Sequence, residues 1–182
     1  MKFNKKLLGA MFALSVSPTF AADSAPTDFF PYLQGGESLA RSSVEFSDGQ
    51  LRRADGGDQL LLSAGDRVES NVHLGDSVLT IEFLAASGTN AGVYLQGRYE
   101  VALAATSGGL SVGGVRGRGD EMSAIAPAED AAKPAGEWQT LEVKFRAPRY
   151  DEASNKVASA MILEARLNGT LVQKNTVLSG FS

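Results

Sequence analysis

Asn90-Ala91-Gly92-Val93-Tyr94-Leu95-Gln96-Gly97-Arg98-Tyr99-Glu100 is the stretch on which the reading of this chain turns. Taken as one extended strand, its side chains alternate between two faces. The odd positions Val93, Leu95, Gly97, Tyr99, Val101 and Leu103 form an apolar set suited to a core. The even positions Tyr94, Gln96, Arg98 and Glu100 form a row of hydrogen-bonding and charged groups, spaced by about 7 Å at the usual strand rise. Such a row, turned towards a hollow, has the makings of a sugar site. Most rows of this kind are instead the solvated outer face of an antiparallel sheet. Gly97 is the weak point, because a glycine within a strand often marks a bulge that breaks the alternation.

Strand signals recur on both sides. Ser43 to Phe46, Ser47-Asp48-Gly49 and Gln50 to Arg53 read as a hairpin, with Ala54 to Asp58 as a turn cluster before a short strand from Gln59 to Ser63. Val78 to Ala85 alternates, with Leu79, Ile81 and Phe83 on one face and Thr80 and Glu82 on the other. Glu137 to Ala147 does the same, placing Gln139, Leu141, Val143 and Phe145 on one side. Asn168-Gly169 is a hairpin signal between Val157 to Leu167 and Thr170 to Leu178, and it outweighs a helical reading of Ser154 to Leu167. The glycine-rich run from Thr106 to Gly119, which holds six glycines, reads as loop, as does Asp120 to Gly136. Many short strands with turn signals between them predict an all-β antiparallel sandwich or jelly roll in one domain, residues 43–182. Residues 22–42 read as an irregular lead-in.

The first 21 residues carry a different signal. Lys2, Lys5 and Lys6 precede an apolar run from Leu7 to Val16, then Ser17-Pro18-Thr19-Phe20-Ala21, the order of a cleavable secretory signal peptide. The expected cut follows Ala21, and the apolar run is too short to anchor the chain across ~30 Å of hydrocarbon. With no cysteine in the chain there is no disulfide staple and no lipid-modified thiol, so a bacterial periplasmic or secreted location is expected. Without residues 1–21, the 14 remaining bases against 21 acids leave a charge of −7. A basic stripe for nucleic acid is absent from that balance.

Few chemistries have residues to support them. The one histidine, His73, lies in a turn-like segment and is more simply a surface residue than a ligand or base. Gly113-Gly114-Val115-Arg116-Gly117-Arg118-Gly119 has no Walker lysine and reads as a flexible loop. Carboxylates on strands remain: Glu82, Glu100 and Glu142, of which two brought together could divide acid and base roles at a glycosidic bond. For any one of them alone, a solvated glutamate is the simpler reading.

Asn90 to Glu100, Ala135-Gly136-Glu137-Trp138-Gln139-Thr140, Phe145-Arg146-Ala147-Pro148-Arg149 and Asn168-Gly169 resemble, in order and spacing, the 3-keto-disaccharide hydrolase family (3-keto-glucoside lyases and 3-keto-glucal hydratases). The resemblance spans roughly His73 to Leu178. It implies a concanavalin A-like sandwich of two antiparallel sheets and an exported bacterial enzyme acting on glycosides oxidised at C3. It also implies a saccharide ligand, Glu100 as general base, and Tyr94, Gln96 and Arg98 lining the sugar site. Glu82 joins them as a substrate-binding candidate, and a divalent metal could stabilise the enolate. The chain departs from the family pattern at Ala102 and Ala105, where glutamine and aspartate are usual, and at Leu167, where histidine is frequent. It ends at Ser182, short of a further strand that relatives carry. A non-catalytic, lectin-like module on the same sandwich, or a structural envelope protein, are the alternatives to the enzyme.

Overall fold

The computed structural model describes residues 9–17, 33–34, 41–63, 67–71, 74–105, 109–117 and 124–179, with backbone alone for 9–17 and 41. Every regular element among them is a β-strand. In chain order these are β1(Gly9–Ser17), β2(Leu33–Gln34), β3(Arg41–Ser47), β4(Gln50–Ser63), β5(Glu69–Ser70), β6(Ser77–Ala85), β7(Gly92–Leu95), β8(Tyr99–Ala102), β9(Val115–Gly117), β10(Gln139–Arg146), β11(Arg149–Tyr150), β12(Lys156–Ala158), β13(Ala160–Leu167) and β14(Thr170–Leu178). Seven of them make one antiparallel sheet in the order β14-β13-β10-β6-β1-β4-β3, and β7-β8-β9 make a second. Two-stranded ribbons β11-β12 and β2-β5 complete the set.

The two larger sheets form the expected sandwich because period-2 alternation gives each of them one apolar face. Leu79, Ile81 and Phe83 of β6, Leu141, Val143 and Phe145 of β10, and Ile162, Ala165 and Leu167 of β13 line the seven-stranded side. Leu95, Tyr99, Val101 and Val115 meet them from the three-stranded side, and the Tyr99 and Phe145 rings stand 6.3 Å apart. Each fully buried side chain of this size contributes about 1.5–3 kcal/mol. The opposite face of the seven-stranded sheet is polar: Thr80, Glu82, Thr140, Glu142 and Lys144 lie on it.

Several sequence expectations need correction. The central stretch is a hairpin. Gln96 and Gly97 both adopt positive φ (51° and 66°), and the Arg98 N–H donates to Leu95 O at 3.1 Å, the pattern of a tight primed turn. Gly97 thus reverses the chain, and β7 folds back on β8. The turn cluster at Ala54 to Asp58 lies within one long strand β4, where the register shifts between Ser42 and Ser43 and the extra residues bulge. Part of the glycine-rich run is sheet: Val115 to Gly117 pair with β8, since alternation of Val115, Arg116 and Gly117 suits an edge strand after the turn at Gly113-Gly114. The Asn-Gly hairpin holds, with Asn168 at φ 52°. The strand read from Val157 to Leu167 is split at Ser159: Val157 and Ala158 belong to β12, which pairs with β11, and Ala160–Leu167 form β13 of the large sheet.

The motifs that carried the family likeness have architectural roles here. Asn168 Oδ1 accepts from Thr140 N at 3.0 Å, and its Nδ2 donates to Ala131 O at 2.8 Å and to Gln139 Oε1 at 3.3 Å. Gln139 Oε1 also accepts from Lys133 N at 2.9 Å. Gly136 packs against the Phe46 ring in space that a Cβ would fill. Turn and strand together therefore pin the segment before β10 without which those backbone groups would be left unpaired.

Strand β1 lies between β6 and β4, pairing with β6 from Ala10 to Ser17 and with β4 from Gly9 to Phe12. It falls in the segment whose sequence reads as an export signal. His73, the predicted cut after Ala21 and Ser182 lie outside the described residues.

Candidate functional site

The site is built by one row of cross-strand neighbours. In the β7–β8 ladder Tyr94 stands directly opposite Glu100, and in the β8–β9 ladder Glu100 stands directly opposite Arg116. Residues opposite one another share a face, so the three side chains meet on the side of the small sheet that faces away from the core. The Tyr94 hydroxyl donates to Glu100 Oε2 at 2.9 Å, and Arg116 Nε donates to the same oxygen at 2.6 Å. Glu100 is 3% exposed, whereas Tyr94 is 46% exposed. The phenol is what a ligand would touch, and the carboxylate lies behind it.

Two small residues make room for this arrangement. Gly92 lies against the Glu100 carboxyl, and a Cβ there would overlap Oε1. Ala102, opposite Gly92, shares the face of Glu100 and is fully buried. The position at which the family usually has glutamine therefore supplies no polar group here.

Electrostatics follow from the burial. A carboxylate taken out of water needs a partner, and the Arg116 guanidinium supplies it; in return Glu100 raises the arginine above its usual value. Burial pushes the Tyr94 phenol up from its ordinary range, and the hydrogen bond to Glu100 and its charge push it further. Tyr94 is thus a neutral donor over the ordinary pH range.

Of the residues named from sequence, the structure brings Tyr94 and Glu100 together and places the others elsewhere. Gln96 lies in the turn, where its Nε2 donates to Leu74 O at 3.3 Å. Arg98 sits at the same turn, exposed. Glu82 and Glu142 belong to the polar face of the seven-stranded sheet, on β6 and β10. The row expected along one strand is thereby divided, because the turn at Gln96-Gly97 ends the alternation after Leu95. Arg116, which the glycine-rich composition assigns to a flexible loop, is the third member of the site. The signal for it was the Val115-Arg116-Gly117 alternation.

A divalent cation does not fit this cluster. Glu100 is its only carboxylate and is already engaged by a guanidinium, and among the described residues no three His, Cys, Asp or Glu side chains gather into a ligand set.

Comparison with curated proteins and with solved structures gives no match. A family model described as the 3-keto-alpha-glucoside-1,2-lyase-like domain matches residues 32–182, through both sheets and the Tyr94–Glu100–Arg116 row. The chain belongs to that family, also known as the 3-keto-disaccharide hydrolases.

Proposed function

We propose that this protein is an exported hydrolase- or lyase-type enzyme acting on glycosides oxidised at C3, with its reacting centre at the Tyr94–Glu100–Arg116 row. The observation that carries the reading is the convergence of a phenol and a guanidinium on the one buried carboxylate of the small sheet. A 3-keto group acidifies the proton on C2. Glu100 takes that proton, the electron pair enters the enolate, and the C1–O bond breaks as a solvent proton passes to the leaving oxygen, Glu100 then releasing its own proton to solvent. Water then adds to the unsaturated sugar. Tyr94 orients the sugar from the solvent side, and Arg116 offsets the carboxylate's buried charge. Export follows from the basic, apolar and small-residue order of residues 1–21 and directs the chain to the periplasm or the outside.

The burial of Glu100 favours a second reading, a saccharide-binding module without turnover, since the carboxylate is 3% exposed and already engaged by Tyr94 and Arg116, and Ala102 brings no polar group beside it. One experiment separates the two. Incubation with a 3-keto disaccharide should release monosaccharide or a glucal, and Glu100→Gln should abolish the release. Undiminished release by that variant would remove Glu100 from the mechanism; sugar binding without release by the wild type would establish the module.

A further inference from the structure

The polar face of the seven-stranded sheet has a composition that an ordinary solvated face lacks. Trp138, the only tryptophan of the chain, is 42% exposed there. It immediately precedes β10 and has the parity of Thr140, Glu142 and Lys144 rather than that of the core residues Leu141 and Val143. Its backbone is held in place, since Lys133 Nζ donates to Trp138 O at 2.9 Å and the Gln139 side chain accepts from Lys133 N. Large aromatic rings are normally buried, so one left exposed on a pinned backbone is a contact group in waiting.

From Thr140 onward the same parity carries hydrogen-bonding groups in strict register. Glu82 is opposite Thr140; Thr80 is opposite Glu142, which in turn is opposite Arg166. Strands lie about 4.8 Å apart and same-face residues about 7 Å apart along a strand, so acceptors and hydroxyls repeat on the scale of a sugar ring's own hydroxyls. Further along the same face is a hollow of about 90 Å³ lined by Val78, Glu142, Lys144, Glu164 and Arg166. Its charges largely cancel: Lys144 Nζ and Glu164 are 3.2 Å apart, and Arg166 Nε and Glu164 3.8 Å. A face that mixes both signs in neighbouring positions has no net field to draw an ion, nucleic acid or a charged membrane. It suits a neutral ligand dense in hydroxyl groups.

We propose that this face is a second saccharide site: the apolar side of a neutral glycan stacks on Trp138, and its hydroxyls bond Glu82, Thr140 and Glu142, with the hollow receiving a hydroxymethyl or hydroxyl substituent of an adjoining unit. The site lies on the other sheet from Glu100 and stands whether or not Glu100 is catalytic. Its role is to hold a polymeric or oligomeric glycan while another part of the protein acts.

The test is calorimetric titration of the full chain with unoxidised gluco-oligosaccharides of increasing length, which a site requiring C3 oxidation would ignore. Affinity should rise with chain length, and Trp138→Ala and Glu142→Gln should each weaken binding by about tenfold or more, while Glu100→Gln leaves it unchanged. Both substituted side chains are exposed, so the variants should melt with the wild type. Binding that survives Trp138→Ala but is lost in Glu100→Gln would overturn the proposal, as would the absence of binding to the whole series. A 3-keto substrate turned over normally by Trp138→Ala would in either case leave the reading of Glu100 intact.

Discussion

Glu100 costs free energy to bury, and what surrounds it decides whether that cost is met. Both donors reach Oε2, and Gly92 lets the rest of the carboxyl lie against bare backbone. Gly92 has no positive φ to explain it, so its requirement is space rather than backbone freedom. Gly92→Ala should therefore displace the carboxylate and lengthen one of the two bonds. Overpacking of this kind costs about 1–3 kcal/mol. A thermal melt should register it as a lowered Tm, while Gly75→Ala, where the added Cβ would meet open space, should leave the Tm near the wild type. Equal melting of Gly92→Ala and wild type would mean that Glu100 has room to spare and that the row is not fixed.

At the scale of the elements, the chain's alternation was legible where both neighbours of a strand were strands of the same kind. Leu79, Ile81 and Phe83 on β6 and Leu141, Val143 and Phe145 on β10 announced their face from period alone. Two features were not legible. Gln96-Gly97 could continue a strand or reverse it, and only the pairing of Tyr94 with Glu100 decides between the two. Arg116 lay among glycines, whose composition speaks for loop, although β9 needs only three residues once β8 offers its edge. Whether Tyr94, Glu100 and a third residue meet depends on that pairing, so Arg116, one of the three members of the site, is not legible from the sequence.

The junction of β6 with the β10–β11 connection is a second place where one residue serves whole elements. Asp76 Oδ1 accepts from Ala147 N at 2.9 Å and from Arg149 Nη1 at 2.8 Å, and Oδ2 accepts from Arg149 Nη2 at 2.5 Å. The Arg149 hydrogen bonds hold the Asp76 carboxyl below its ordinary value of 3.8, against a smaller opposing effect of burial. A carboxyl depressed in the folded state adds stability that is present above its unfolded value and is lost as pH falls through the folded one. The wild type should therefore lose stability below about pH 4. Asp76→Asn should be less stable than wild type at neutral pH and should converge with it in acid. Denaturant midpoints across pH 2–7 measure this; a constant difference between the two proteins at every pH would show that the ion pair does not carry the junction.

At the scale of the molecule, the open question is what becomes of the large sheet when residues 1–21 are removed, as their sequence proposes. Strand β1 then leaves, and with it the ladder that joins β6 to β4. The core has its own support, because β6, β10, β13 and β14 remain consecutive and face β7, β8 and β9 across Leu79, Phe83, Tyr99 and Val101. The chain of residues 22–182 should accordingly fold and keep the near-ultraviolet signature of Trp138. The edge of β6 is another matter. In an antiparallel sheet alternate amides of a central strand point to opposite neighbours, so every second N–H of β6 bonds to β10 and the remainder point at β1. In residues 22–182 the set directed at β1 should exchange with solvent at least about tenfold faster than in the full chain, while the set directed at β10 keeps its protection. An edge opened in this way is a ready template for another strand, and concentration-dependent association of the shortened chain would be its second sign. Equal protection of both sets in the two forms would mean that β4 closes directly onto β6. The strand order β10-β6-β4-β3 would then be that of the processed protein.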